Sequence, residues 1–220
     1  MWTQIRALGL AFWSPGQALD QLNSDRHPWV VQFLLISVQS SMLAIAYRFT
    51  FEISFQILPT EVPQETLDAL VNNLRVLRYV AVFLGILQPF LWWYAVAGVL
   101  WTLNVLLAAR EQPFLKMLNL AVLSSVFLVL CQGYLLLILL LRDRTSYQSL
   151  QDLQVPIGLN LIPGEWSPFW WAFLGHINLF EVASTLLAAY GFVRMTKAST
   201  VVSYTCIFSI WLAWSALRSY

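Results

Sequence analysis

The run Tyr79–Ala109, YVAVFLGILQPFLWWYAVAGVLWTLNVLLAA, contains no charged side chain. A helix needs about 20 predominantly apolar residues to cross a bilayer, so this run covers one crossing with length left for tilt or a kink. Pro89 supplies the kink site, because its ring has no N–H and frees a backbone carbonyl near Gly85. The rest of the chain has the same character. Hydrophobic residues fill 59% of the 220 positions and charged ones 10%, against roughly 25% charged in soluble domains. A chain of this size has too little interior to hide that much apolar surface. The expected fold class is all-α, a polytopic transmembrane bundle whose solvent is the lipid bilayer.

Four further spans fall on either side of this run. Trp29–Tyr47 is free of charge and Arg48 ends it, giving a first span at 29–48. The next residues alternate strictly, with Phe49, Phe51, Ile53, Phe55 and Ile57 apolar and Thr50, Glu52, Ser54 and Gln56 between them. Period two is the pattern of a strand. A lone strand beside lipid leaves its backbone unpaired, so helical continuation is the expectation. Pro59 and Pro63 bracket a break, and Leu67, Leu70, Val71, Leu74 and Leu77 then mark an amphipathic helix from Gln64, leading into the second span at 79–109. After the turn Arg110–Pro113 the third span covers 117–141. A polar loop, 142–167, ends at Ser167-Pro168, a helix-start signal, and the fourth span covers 169–193. Arg194–Lys197 turns the chain into a fifth span at 199–217.

The first 28 residues read as peripheral. Trp2, Ile5, Leu8 and Phe12 lie near one face of an interfacial helix. Ser14 caps a second short helix with Pro15 at its first position, running to about Asn23. The domains are thus 1–28, interfacial helices, and 29–217, a bundle of five helices. The basic residues divide evenly between the two sides: Arg6, Arg26, Arg110, Lys116, Arg194 and Lys197 against Arg48, Arg75, Arg78, Arg142, Arg144 and Arg218. We place the N-terminus inside.

Net charge is +1, so no basic field invites nucleic acid. Cys131 and Cys206 sit in apolar runs and read as packing residues rather than a disulfide or zinc site. No H-E-x-x-H, G-x-S-x-G or Walker loop occurs, His27 and His176 are the only imidazoles, and the spans lack Asp. No enzyme, metal or cofactor is expected.

Glu181 is the one acid inside a span, and lipid exposure of such a group costs roughly 2.5–3.5 kcal/mol on insertion scales. Asn178, Ser184 and Thr185 lie on its face. His176, five residues back, falls about 140° round a continuous helix and is not an obvious direct partner. Two readings stand: a proton or ion relay lining a cavity, or a hydrogen-bonded carboxyl that joins the fourth span to its neighbours. Gln88, Asn104, Asn119, Gln132 and Gln39 are polar groups on other spans that could meet it. The small residues Thr205, Ser209 and Ala213 form a helix-packing ridge, expected to pack within the chain or against a partner's span. Trp166, Trp170 and Trp171 mark an aromatic belt at the fourth span's entrance.

Phe12-Trp13-Ser14-Pro15, followed by a short amphipathic helix and a Trp-led first span, resembles the YIP (Ypt-interacting protein) family of membrane proteins, particularly its bacterial members. Ile177–Glu181 followed by Leu186–Phe192 is similar to that family's fourth-span pattern. The resemblance implies five spans, a cytoplasmic N-terminus, a bacterial plasma (inner) membrane and association with ABC-type exporters as an accessory subunit. The Asp-Leu-Tyr-Gly-Pro element of eukaryotic members is missing, so Rab binding is not carried over. The expected function is that of a non-enzymatic subunit binding a membrane-protein partner, a transporter or its own homo-oligomer. The alternative is a transport element, a lipid or small-solute conduit working through Glu181.

Overall fold

The computed structural model describes residues 2–24, 29–57, 64–142 and 155–220. The expected breaks at Asp25–Pro28 and around Pro59–Pro63, and residues 143–154 of the 142–167 loop, lie outside these. Among the described residues there is no strand. The helices are α1 (Trp2–Trp13), α2 (Pro15–Ser24), α3 (Trp29–Ile57), α4 (Gln64–Leu107), α5 (Phe114–Ser124), α6 (Val126–Leu141), α7 (Pro168–His176), α8 (Leu179–Thr196) and α9 (Thr200–Arg218), with a 3₁₀ turn at Leu159–Leu161. Three stretches are long and apolar enough to cross a membrane: Leu87–Leu107, Phe114–Leu141 and Thr200–Arg218. The bent pair α7–α8 makes a fourth if taken as one span. Val30–Ala46 in α3 is a shorter apolar stretch.

The alternating segment 49–57 is helical, continuing α3 to Ile57. Backbone hydrogen bonding within the segment overrides the period of its side chains. The amphipathic stretch from Gln64 and the second span are one helix, α4, with Pro89 inside it.

Of the expected spans the fourth is broken, while the third runs unbroken from Phe114 to Leu141, with a local irregularity at Ser125 between α5 and α6. There the Ser124 hydroxyl donates to the Ala121 carbonyl (2.9 Å) and the Ser125 hydroxyl to that of Val122 (2.7 Å), side-chain bonds that compete with the helix ladder. The fourth divides at Ile177–Asn178 into α7 and α8, which meet at a bend of 52°.

The chain forms two compact units. One comprises Ile36–Phe90 and Gln132–Val155; in it the Ser41 hydroxyl donates to the Ser37 carbonyl (2.7 Å), and a Cβ on Gly133 would come 3.2 Å from Met42 Cε. The other comprises Met1–Leu35, Leu91–Cys131 and Pro156–Tyr220. The division within α4 falls between Phe90 and Leu91, one residue past Pro89.

In the second of these units α2 packs on α5 and α8, and α8 packs on α5 and α9. Leu19, Met117, Leu120, Leu123 and Phe192 are buried there. Gly191 permits the closest approach: a Cβ on it would collide with Leu120 and come 2.8 Å from Leu19 Cδ1.

A buried polar clasp ties one end of this unit. Asn104 exchanges two hydrogen bonds with the Gln112 backbone, each 3.1 Å. Gln112 Nε2 donates to the Met195 carbonyl (3.0 Å), Lys116 Nζ donates to Gln112 Oε1 (3.1 Å), and the Arg110 N–H donates to the Thr196 carbonyl (2.9 Å). Lys197 ends α8 in the left-handed conformation (φ 57°), its N–H returning to the Val193 carbonyl. Asn104→Ala leaves the buried Gln112 backbone without both partners and is expected to lower stability by about 1–3 kcal/mol. Thermal unfolding in detergent measures this; an unchanged midpoint would mean the clasp holds nothing.

Candidate functional site

The break between α7 and α8 builds the site. A helix end inside a membrane protein must satisfy its last carbonyls without water, and here three carbonyls at the break find partners locally. The Ile177 N–H donates to the Leu174 carbonyl (3.1 Å), Asn178 Nδ2 to that of Gly175 (3.0 Å), and the Leu159 N–H to that of Ile177 (3.2 Å). The segment carrying Leu159 fits because Gly158 has no Cβ. One placed there would lie 2.5 Å from the Leu174 carbonyl oxygen and 2.7 Å from that of Gly175.

Asn178 then starts α8. Its Oδ1 accepts from the Glu181 N–H at 2.9 Å, the N-cap arrangement with an acid at the third helical position. In a full capping box the acid reaches back to the cap's own N–H. Glu181 reaches elsewhere: Oε1 lies 3.0 Å from His176 Nδ1, Oε2 accepts from Trp211 Nε1 at 3.2 Å, and Arg218 stands 4.0 Å from Oε1. The Thr185 hydroxyl donates to the Glu181 carbonyl (2.9 Å). The Glu181 and His176 side chains are 15% and 18% exposed, so the pair is shielded but not sealed.

This corrects the expected relation of His176 to Glu181. An angle of about 140° holds for one continuous helix. The 52° bend at Ile177–Asn178 swings His176 back over the first turn of α8, so the two become direct partners.

The position of Glu181 changes too. A span at 169–193 would put it near the membrane midplane. In the structure it belongs to the first turn of α8, about 22 Å along that helix from Thr196 at 1.5 Å per residue. Its partner Arg218 ends α9, about 27 Å from Thr200 by the same rise. Glu181 therefore sits toward one end of the bundle. α7 lies obliquely there, with Phe169 against Tyr220 (4.9 Å between rings).

Of the expected site residues, Glu181, Asn178, Thr185 and His176 come together. Gln88, exposed, and Gln132, half-buried, belong to the other unit and are not members of this cluster. Asn104 and Asn119 are buried, but they serve the clasp end: Asn119 Nδ2 donates to Asn23 Oδ1 at 3.2 Å. Thr205, Ser209 and Ala213 are all exposed. The face of α9 turned inward is instead Ser203, Ile207 and Ser215, with Trp211 half-buried among them. Trp211 and Arg218 were missing from the expected set. Their spacing of seven, two turns on one helix face, is the signal that could have found them.

Among the described residues no group of three or more His, Cys, Asp or Glu could hold a metal ion. Cys131 and Cys206 are free thiols. What the site can do is lock α7, α8 and α9 together through one carboxylate. The chain matches no family model, no curated protein and no solved structure.

Proposed function

We propose that this chain is an integral membrane protein without catalytic chemistry, an accessory or scaffold subunit that grips a transmembrane helix of a partner such as an ABC-type exporter. The observation that carries this reading is the outward face of α9. Thr205, Ser209 and Ala213 are exposed and stand one turn apart, about 7 to 20 Å along the helix from Thr200. Small residues at that spacing let a second helix approach closely within the hydrocarbon. The tying of both Glu181 oxygens inside the chain supports the same reading, since it leaves the polar site occupied by the protein itself.

The five-span count, the cytoplasmic N-terminus, the bacterial inner membrane and the likeness to the YIP family belong to this proposal. What supports the count is the apolar stretch Val30–Ala46 of α3 together with the bent pair α7–α8.

A Cys placed at Ser209 is expected to cross-link to the partner one to one in native membranes. Ser209→Trp is expected to cut partner recovery in mild detergent by about tenfold or more, the equivalent of 1.4 kcal/mol. Recovery of the chain alone, or recovery unaffected by Ser209→Trp, would overturn the proposal.

The second reading, a transport element working through Glu181, is favoured by one observation: a carboxylate and an imidazole 3.0 Å apart at a break between two helices. Transport by Glu181→Gln protein in liposomes separates the two.

A further inference from the structure

α1 and α2 are joined by Ser14 alone, and α1 folds back along α2. Ala7, Ala11, Ala18 and Leu22 are buried, small residues predominating where the two helices lie close. The pair has a definite direction relative to the bundle. At the outer end of α2, Asn23 meets Asn119 and the Met195 sulfur (3.4 Å), and Asp20 pairs with Arg194 at 2.7 Å. At its inner end, Pro15 and Ala11 lie beside Ala183, Leu187 and Phe127, and the Phe12 ring meets that of Phe127 at 5.1 Å.

Helix rise converts these contacts to depth. Pro15 is eight residues from Asn23, so the inner end of α2 lies about 12 Å from the bundle end at which α2 finishes. Ala183 and Phe127, each thirteen residues from that end along α8 and α5–α6, lie about 20 Å from it. A hydrocarbon core is about 30 Å thick. If α1 and α2 lay flat on the surface, as interfacial helices, their junction would meet the ends of these helices instead. The charges agree with depth. From Ala7 to Leu19 there is none; Arg6 and Asp20 flank this run at nearly equal distances from the Trp13–Ser14 tip, about 10 Å along each helix. Trp13 at the tip is 90% exposed, an aromatic ring facing the acyl chains.

The tip also closes a groove. Ala11, Pro15, Phe127, Ala183, Leu187 and Tyr204 line a cleft of about 280 Å³. It runs from Tyr204, about 6 Å along α9 from Thr200, down to the level of Ala183 at about 20 Å, the length of one leaflet. Leu186 and Tyr190 on its wall are exposed, so it opens sideways to lipid. Arg194 lies outside the cleft, paired with Asp20 at 2.7 Å and reaching along α2 as far as Gly16, where a Cβ would come 2.8 Å from its guanidinium.

We propose that α1–α2 is a re-entrant hairpin dipping into one leaflet, and that the groove beneath its tip holds one acyl chain of a glycerophospholipid from that leaflet. The length of the cleft, close to one leaflet, its apolar wall and its lateral opening to the acyl chains select this occupant.

Two measurements on the full-length protein in vesicles of phosphatidylethanolamine and phosphatidylglycerol test this. A membrane-impermeant maleimide, applied to opened vesicles with wild type as background, is expected to label Ser24→Cys about tenfold or more faster than Trp13→Cys, because the latter thiol lies in hydrocarbon. Equal labelling would put the hairpin on the surface and overturn the proposal. Vesicles containing phosphatidylglycerol with a photoactivatable acyl chain are expected to label the peptide Ala183–Tyr190. Filling the cleft by Ala183→Trp or Leu186→Trp is expected to cut that labelling about tenfold, the loss of contact with about two methylenes, while labelling at Leu212 on the outer face of α9 stays constant. Leu186 is exposed, so its variant decides the matter should Ala183→Trp fail to fold. Groove labelling no stronger than at Leu212 and insensitive to both variants would overturn the site, as would cross-links from the groove to a second copy of the chain.

Discussion

Glu181→Ala is expected to lower stability by about 2–4 kcal/mol, the cost of removing one partner from a shielded, charge-assisted network. The alanine leaves His176 Nδ1 and Trp211 Nε1 without the oxygens they now face at 3.0 and 3.2 Å, and it removes the counter-charge near Arg218. Three helices lose their common tie. Glu181→Gln should cost much less, about 1 kcal/mol. Its amide oxygen still accepts from Trp211, and its NH₂ can donate to His176 with the imidazole proton on Nε2. Chemical unfolding of the two variants in detergent measures the order. Equal losses for Ala and Gln would mean that charge, not hydrogen bonding, holds the site. A fully stable Gln variant that nevertheless stops solute flux would favour the transport reading over the subunit reading.

Gly158→Ala is expected to be comparably damaging, by about 2–4 kcal/mol, combining overpacking with a lost backbone bond. The new methyl would meet two backbone carbonyl oxygens, of Leu174 at 2.5 Å and Gly175 at 2.7 Å, and neither can rotate away as a side chain would. The 3₁₀ turn has to lift off, which breaks the Leu159 N–H to Ile177 carbonyl bond and uncovers the end of α7. Gly175→Ala provides the contrast. Its Cβ meets only the Asn160 side chain, at 3.1 Å, so a small loss is expected. Thermal unfolding of the pair checks this, and a Gly175→Ala loss as large as that of Gly158→Ala would refute it.

The helices were legible wherever one local cause decides them. The charge-free run at 79–109 is helical to Leu107, and Ser167-Pro168 starts α7, with the serine hydroxyl accepting from the Trp170 N–H. The break in the fourth span was less legible, because hydropathy averages over it. Gly175–Asn178 sits inside a strongly apolar run, and a count of apolar residues passes through it. Yet Asn178 and Glu181 carry the spacing of a helix start, and reading that start would have ended the fourth span's first helix before it. The geometry of the Glu181 site follows from this one break: a continuous helix keeps His176 away, and a bent one brings it in. The spacing of seven puts Trp211 and Arg218 on one face of α9, and packing decides that this face turns toward Glu181. The small-residue ridge Thr205–Ser209–Ala213, open in the sequence to a contact within the chain or with a partner, turns outward. On the proposed dip of the N-terminal hairpin, the symmetric placing of Arg6 and Asp20 about Trp13-Ser14 is the sequence pattern that points to it.

α8 is fastened at both ends, by Asn178 and Glu181 at one and by Met195, Thr196 and Lys197 at the other. Glu181 and Thr196 are about 22 Å apart along the helix, and tilting cannot change that separation while both ends hold. An average hydrocarbon core is about 30 Å thick. The difference falls on the lipid: the bilayer thins around the protein or the polar ends sink, at fractions of a kcal/mol per Å of hydrophobic mismatch. With the two polar layers closer than an average core is thick, stability is expected to rise as acyl chains shorten.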